Sequence, residues 1–330
     1  MQGGRVNAKK LRWRCGTLFR HLHSDPLSSA RAFSQDCATQ QPPPPPEFQP
    51  TAAETSRLQA GYDALVLAIS VVESRAPSDL VPDVTVYASA VGFLLRYPEQ
   101  YYKQQYYSDA LELLAEGMRR VKELESGTCS WTTKRGIVCR GYRSAVDGSI
   151  QPYCVWVPDG YRAGVPSRLD VILHGRNRVL TEVSFLSSAW DERIVEFETG
   201  RKSAPDCLKL YVFGRANNSY RWAGESDVFE ALASTQANYT VDPERVVLRG
   251  FSMGGTGAWH LGLHFPSRWA AVEAGAGYVE TRCVRVRARV CACLCHRFVS
   301  GMAVHTPNET LWRAGPKSVK QSPTNGGTKL

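Results

Sequence analysis

The most constraining feature of this sequence is the segment from Gly250 to Gly255, which is Gly-Phe-Ser-Met-Gly-Gly. The apolar run at 245–248 predicts a buried strand before it, and residues 255–264 predict a helix that ends before Pro266. A strand that turns sharply into a helix needs glycine two positions before and after the turn, where Gly250 and Gly254 stand. The pattern predicts that Ser252 is a nucleophile held above a sheet. The alternative is a glycine-rich turn with an incidental serine.

A second apolar strand, Leu169–Leu173, ends in His174 and Gly175. In enzymes with a serine nucleophile at such a turn, the loop after this strand supplies one half of the oxyanion hole. We therefore predict that the Gly175-Arg176 turn and the backbone N–H of Met253 together stabilise an oxyanion. His174 is expected to shape the loop by hydrogen bonds rather than to act as the general base.

The remaining pattern predicts an α/β fold with a mainly parallel sheet. Residues 136–144 and 150–158 flank Asp147-Gly148, which is a strong hairpin-turn signal. The near-continuous apolar runs at 169–173 and 208–213 are typical of parallel strands that are covered on both faces. Helices are expected near 228–236 and 255–264, and a last strand at 270–274, so strands and helices alternate as in α/β proteins.

Residues 131–281 resemble an α/β-hydrolase of the prolyl-oligopeptidase type, in a group of peptidases and esterases. The resemblance implies a Ser-His-Asp triad in the chain order serine, acid, histidine, with acyl transfer to water. It extends over roughly residues 55–281 when a helical prefix is included. The matching stretches are Val138-Cys-Arg-Gly-Tyr-Arg-Ser-Ala-Val-Asp-Gly-Ser149, Leu173-His-Gly-Arg176, Thr181-Glu-Val-Ser-Phe-Leu186, Asp242-Pro-Glu-Arg-Val-Val-Leu-Arg-Gly-Phe-Ser-Met-Gly-Gly255 and Gly277-Tyr-Val-Glu-Thr281.

The sequence departs from this family after about residue 281. No aspartate follows Ser252, and His260 and His264 lie in the helix that begins at the serine, so only His305 is a conceivable base. Residues 283–293 alternate strictly between Val or Ala and Arg or Cys, as a translated dinucleotide repeat would. We therefore predict a truncated family domain, a sheet incomplete at its C-terminal edge, and a tail from a retained intron or frame error. The rivals are a true amphipathic strand and a Cys-rich metal tract.

Four segments are expected: a basic leader with a proline-rich linker (1–50), a helical prefix domain (51–130), an α/β-hydrolase core (131–281) and a non-family, disordered tail (282–330). In the prefix, Glu116 and Arg120 are expected to pair on the exposed side of a helix. The leader has the Arg-rich, acid-poor composition of a transit peptide, which predicts a mitochondrial or other organellar location; a cytoplasmic one is the alternative.

The net charge of +9 belongs to the two ends, because residues 34–280 are mildly acidic. A nucleic-acid partner is therefore not expected, and no apolar run reaches the roughly 18 residues that a membrane span requires. Cys129, Cys139, Cys154 and Cys207 lack metal-ligand spacing and are expected to be buried, reduced thiols.

Together these features predict a serine hydrolase that cleaves a small ester or a short peptide, without a cofactor or metal. Its nucleophile is Ser252, its oxyanion donors are at Met253, Gly175 and Arg176, and its acid and base are unassigned. The missing aspartate favours a rival interpretation, a catalytically inactive binding or scaffolding protein with a hydrolase fold.

Overall fold

The computed structural model describes residues 43–187 and 207–279. The predicted leader (1–50), apart from its last residues, and the predicted tail (282–330) lie outside these ranges. The described part begins with three helices, α1 (Ala52–Glu73), α2 (Pro82–Arg96) and α3 (Gln105–Ser126). Helix α1 starts in a capping box, in which Thr51 and Glu54 satisfy each other's backbone N–H groups. Helix α3 ends at Gly127, whose φ of 72° is the left-handed conformation that glycine adopts readily.

The sheet contains six described strands in the order β1-β2-β4-β3-β5-β6. They are β1 (Gly136–Arg143), β2 (Ile150–Val157), β3 (Ser167–Leu173), β4 (Leu208–Val212), β5 (Val241–Phe251) and β6 (Ala271–Gly275). Strand β2 is antiparallel to β1 and β4, whereas β3 pairs in parallel with β4 and β5, and β5 with β6. The predicted α/β-hydrolase fold with a mainly parallel sheet is thus confirmed.

Three further helices lie between these strands: α4 (Glu182–Ser187), α5 (Ala223–Asn238) and α6 (Met253–His264). Helix α6 packs closely on the sheet, because Gly257 meets the Leu173 side chain and Gly262 meets that of Val272. All the parallel strands deliver their carboxyl ends to the same edge of the sheet, where ligands bind in open α/β folds. Within the described ranges β6 pairs with β5 alone. The predicted incompleteness of this edge concerns residues beyond 279 and stays a prediction.

The N-terminal helices are joined to the sheet by a buried ion pair. The Asp83 carboxylate on α2 accepts hydrogen bonds from Arg140 Nε at 2.9 Å, from Trp131 Nε1 at 2.9 Å and from the Gly141 backbone N–H at 3.1 Å. Asp83 and Arg140 are almost completely inaccessible to solvent, and their ion pair joins α2 directly to β1. The boundary predicted near residue 130 therefore lies inside well-packed structure, and it stays a prediction.

The predicted exposure of Arg120 is wrong, although its ion pair with Glu116 is present. Arg120 is only 4% exposed, and its guanidinium donates to the backbone carbonyls of Asp83 and Cys139. It also lies about 5 Å from the ring of Trp131. The helical spacing correctly predicted that Arg120 pairs with Glu116. It could not predict that Arg120 is buried, because the burial comes from packing of the sheet against that helix.

The prediction of reduced thiols is wrong for two cysteines, because Cys139 and Cys154 form a disulfide. They face each other directly in the antiparallel register of β1 and β2. Cys129 and Cys207 are free thiols, and burial raises the pKa of Cys207 to about 11. In the described ranges, no helix is long and apolar enough to cross a membrane.

Candidate active site

Ser252 lies at the junction of β5 and α6, with its side chain exposed at the carboxyl edge of the sheet. Its backbone has φ 56° and ψ −117°, a conformation that non-glycine residues rarely adopt. Two backbone hydrogen bonds hold it there: Ser252 N–H donates to the Gly275 carbonyl at 2.8 Å, and Thr256 N–H donates to the Ser252 carbonyl at 3.0 Å. The strain is therefore imposed by β6 on one side and by the first turn of α6 on the other.

The glycines around Ser252 allow three segments of backbone to cross at short range. A Cβ atom on Gly250 would lie 2.2 Å from the Gly254 carbonyl oxygen, and one on Gly254 would lie 2.0 Å from the Leu173 carbonyl oxygen. Gly255, which our sequence analysis did not single out, is equally constrained, since its Cβ would lie 2.2 Å from the Gly275 oxygen. These distances are far below van der Waals contact, so only glycine fits these positions.

Gly175 and Met253 lie on either side of the serine. A Cβ on Gly175 would be 3.8 Å from Ser252 Cβ, which places the loop after β3 beside the nucleophile. Met253 is the first residue of α6, so its N–H has no carbonyl acceptor within the helix and lies at the positive end of the helix dipole. The structure thus brings together Ser252, Gly175 and Met253, as an oxyanion site requires.

Arg176 has an exposed side chain, and its backbone N–H belongs to the same peptide bond as the Gly175 carbonyl. His174 Nδ1 lies 2.8 Å from the Gly175 carbonyl oxygen, so that carbonyl points toward the imidazole. In a trans peptide the following N–H points in the opposite direction. The Arg176 N–H is therefore turned away from His174.

His174 is a structural residue in this arrangement. Its Nε2 atom lies 2.9 Å from the Phe213 carbonyl oxygen, and its backbone N–H donates to the Tyr220 hydroxyl at 2.7 Å. Burial lowers the pKa of His174, although both carbonyl contacts act in the opposite direction. With each ring nitrogen facing a backbone carbonyl, the imidazole is not free to accept the serine proton.

The loop from Phe213 to Trp222 completes the carboxyl edge of the sheet and was missed by our sequence analysis. Five of its non-glycine residues have positive φ angles: Arg215, Ala216, Ser219, Tyr220 and Trp222. The Tyr220 ring fills the space beside Gly214 and Gly257, and it packs edge-on against His174. Asn217 links this loop to the one after β3, because Asn177 N–H donates to Asn217 Oδ1 and Asn217 Nδ2 donates to the Asn177 carbonyl. Tyr220 and Asn217 therefore fix both loops around Ser252.

The structure does not bring a general base to Ser252 from α6. His260 lies eight residues along the helix, about 12 Å along its axis, and its Nε2 is paired with Glu225 at 2.6 Å. His264 Nδ1 lies 2.8 Å from the His260 carbonyl oxygen. Glu273 is in an ion pair with Arg249 on the sheet. The acid and base thus remain unassigned, and His305 lies outside the described residues.

Glu182 is the carboxyl group with the most strongly raised pKa near this edge of the sheet. Its Oε2 atom is buried without a hydrogen-bond partner in the described part of the chain. Burial raises the pKa of Glu182 to about 8; the Arg215 charge opposes this shift and the Asp227 charge adds to it. Glu182 is therefore protonated in the folded protein at neutral pH.

We expect this group to make the free energy of unfolding fall as the pH rises from about 4.5 to about 8. Over this range the unfolded chain releases the Glu182 proton while the folded chain retains it, so ionisation favours unfolding. Glu182→Gln should flatten that part of the stability profile, measured by urea unfolding at several pH values. Glu112→Gln, at an exposed position of α3, is the control and should leave the profile unchanged. A profile that is identical in Glu182→Gln and the wild type would contradict the assignment.

Residues 213–326 match the model of the family named Esterase. This match covers about a third of the chain and includes Ser252. It also continues past residue 281, where we predicted that family sequence ends; that boundary stays a prediction. A search among curated proteins finds no match.

Several solved structures are similar to parts of this chain. A thermostable esterase has 20% identity and a TM-score of 0.29, over 41% of this chain and 39% of its own. An S-formylglutathione hydrolase from Staphylococcus aureus has 16% identity and a TM-score of 0.35, over 45% and 60%. A ferulic acid esterase from Anaeromyces mucronatus has 18% identity and a TM-score of 0.30, over 44% and 61%. This chain thus spans less than two thirds of each of these proteins, and their activities are statements about those proteins.

The described residues hold no cluster of histidine, cysteine and carboxylate side chains that could bind a metal ion. What the described site offers chemically is an exposed hydroxyl at a helix N-terminus, with the Gly175 loop beside it.

Proposed function

We propose that this chain is a serine hydrolase that cleaves carboxylic esters through an acyl-enzyme on Ser252. The observation that carries the proposal is the exposed serine in a strained turn, at a helix N-terminus and beside the Gly175 loop. The match of residues 213–326 to an esterase family model supports the same reaction class. Because the match includes the serine and its flanking glycines, it bears on the part of the chain that would do the chemistry.

The geometry suggests how each group would act. Ser252 Oγ attacks the ester carbonyl carbon, and the N–H groups of Met253 and Arg176 stabilise the negative charge on the carbonyl oxygen. The bond to the alcohol oxygen then breaks, the alcohol leaves with a proton, and water hydrolyses the acyl-serine to release the acid. These backbone donors can support measurable turnover even without a complete triad, although at a much lower rate.

An ester is the favoured substrate. A short peptide is the alternative substrate, and the likeness to prolyl-oligopeptidase-type enzymes supports it. An amide has a poorer leaving group, so its cleavage depends more strongly on a general acid to protonate the departing nitrogen. The match to the esterase family model therefore favours an ester over a peptide.

A fluorophosphonate probe tests the proposal, because it reacts only with an activated serine hydroxyl. We expect the wild-type protein to be labelled and to hydrolyse p-nitrophenyl acetate, and Ser252→Ala to lose labelling and at least about 100-fold of the hydrolysis rate. Ser126→Ala, at the exposed end of α3, is the matched control and should behave as the wild type. Equal labelling of Ser252→Ala would place the nucleophile elsewhere. A wild-type protein that is never labelled would instead support the inactive binding protein.

A further inference from the structure

Helix α3 reaches the loop beside the nucleophile through one buried tyrosine. The Tyr106 hydroxyl donates a hydrogen bond of 2.6 Å to the Val179 carbonyl, across 73 residues of sequence. Tyr106 is only 4% exposed, and its hydrogen bond to Val179 is part-buried. Val179 belongs to the segment 174–181, which we name the oxyanion loop, and it lies four residues after Gly175.

A second contact from the same helix holds the end of α4, the helix that follows the oxyanion loop. Asp109 lies one turn further along α3, and its Oδ2 atom accepts a hydrogen bond of 3.0 Å from the Ser187 hydroxyl. Ser187 is the last residue of α4, the short helix that follows the oxyanion loop directly. Helix α3 therefore contacts the chain on both sides of α4, at Val179 and at Ser187.

The oxyanion loop also has attachments of its own, among them the hydrogen bonds between Thr181 and Ser184 at its end. Within the loop, Val179 N–H donates to Asn177 Oδ1, and Asn177 is linked to Asn217 on the neighbouring loop. These bonds and those of His174 hold the start of the loop from the side of the sheet. Tyr106 adds a side-chain contact from α3, and we expect the loss of this contact to let the loop move more relative to Ser252.

We propose that Tyr106 is a positioning residue, which holds the oxyanion loop at the distance from Ser252 that stabilises the tetrahedral intermediate. The expected effect of Tyr106 on the reaction rate rests on the proposed function. The expected restraint of the oxyanion loop by Tyr106 does not. It assigns the N-terminal helices a role in the reaction although none of their described side chains is bonded to Ser252. A catalytic group misplaced by about 1 Å can cost about 100-fold in rate, and an oxyanion donor acts mainly on the transition state rather than on the bound substrate.

The test compares Tyr106→Phe with Tyr107→Phe in the full chain. Tyr107 is the next residue of α3, is half-buried, and packs its ring near Phe48, so it is a matched control. For Tyr106→Phe we expect kcat for p-nitrophenyl acetate to fall about tenfold with KM within about twofold, and fluorophosphonate labelling to slow by the same factor. Tyr107→Phe should match the wild type in all three measurements. Equal kinetics in both variants would overturn the proposal.

Amide hydrogen exchange separates a failure of this inference from a failure of the proposed function. In Tyr106→Phe, peptides from 176–181 should exchange at least severalfold faster than in the wild type, whether or not the protein hydrolyses esters. Unchanged exchange there would disprove the bracing even in an active enzyme. If Tyr106→Phe does not fold, Asp109→Ala removes the second contact at a half-buried site and should lower kcat in the same direction with KM preserved. No change in kcat for that variant would again contradict the proposal.

Discussion

Replacing Gly254 by alanine is expected to unfold the region around Ser252 and to abolish fluorophosphonate labelling. The new Cβ would lie 2.0 Å from the Leu173 carbonyl oxygen and 2.9 Å from that of His174. Both neighbours are backbone atoms of the strand and loop that carry Gly175, so no side-chain rotation can relieve the clash. We expect a loss of at least about 3 kcal/mol in the free energy of unfolding, measured by urea unfolding.

Gly262→Ala is the matched control for that experiment, since Gly262 lies in the same helix. Its Cβ would be 3.0 Å from the Val272 side chain, which can shift, and alanine favours a helix by up to about 1 kcal/mol over glycine. We therefore expect a change within about 1 kcal/mol and normal labelling. If Gly254→Ala were as stable as Gly262→Ala, the close approach of the helix to the loop after β3 would be wrong.

Asp83→Asn is expected to destabilise the whole described fold by about 3–5 kcal/mol, because it leaves a buried guanidinium without its counter-charge. Burial alone would lower the pKa of Arg140, but the Asp83 charge raises it above the ordinary value. Asparagine has nearly the same shape as aspartate and can still accept from Trp131 or Gly141. The decrease in the free energy of unfolding should therefore reflect the missing charge rather than a cavity. Urea unfolding measures this decrease.

Asp79→Asn is the corresponding control, since Asp79 is exposed shortly before α2. An exposed carboxylate contributes little to stability, so we expect a change of less than about 1 kcal/mol. A second transition in the unfolding curve of Asp83→Asn, with the helices melting before the sheet, would support the domain boundary predicted near residue 130. A loss no larger than that of the control would show that the Asp83–Arg140 pair is not a determinant of stability.

The strands and the elbow could be predicted from sequence because their signals are local. Apolar runs and the Asp147-Gly148 turn predicted the positions of β1 to β4. Gly250 and Gly254 predicted the sharp turn at Ser252, where backbone segments approach too closely for any other residue. The pairing of Cys139 with Cys154 was also within reach, since these residues are placed almost symmetrically about that turn. The spacing of the two cysteines does not fit a metal site, but it fits the hairpin register.

Other features depend on contacts between distant parts of the chain and leave no local pattern. Tyr220 acts on His174, and Tyr106 acts on Val179, through hydrogen bonds that span 46 and 73 residues. The aromatic residues from Tyr97 to Tyr107 offered no reason to single out one of them. Arg120 has the spacing of an exposed ion pair, and only the strand packed against its helix makes it buried. His305, the one base that the sequence suggested, lies outside the described residues.

If Ser252 is the nucleophile, as we propose, its backbone conformation sets catalysis against thermal stability at one position. With φ at 56° and ψ at −117°, a side chain of any kind is disfavoured there by about 1–3 kcal/mol. Glycine adopts such angles freely. Laboratory selection for thermal stability alone should therefore recover Ser252→Gly among the first stabilising variants. Selection that also requires ester hydrolysis should never recover Ser252→Gly. The difference between the two screens would show whether the Ser252 hydroxyl is needed for activity.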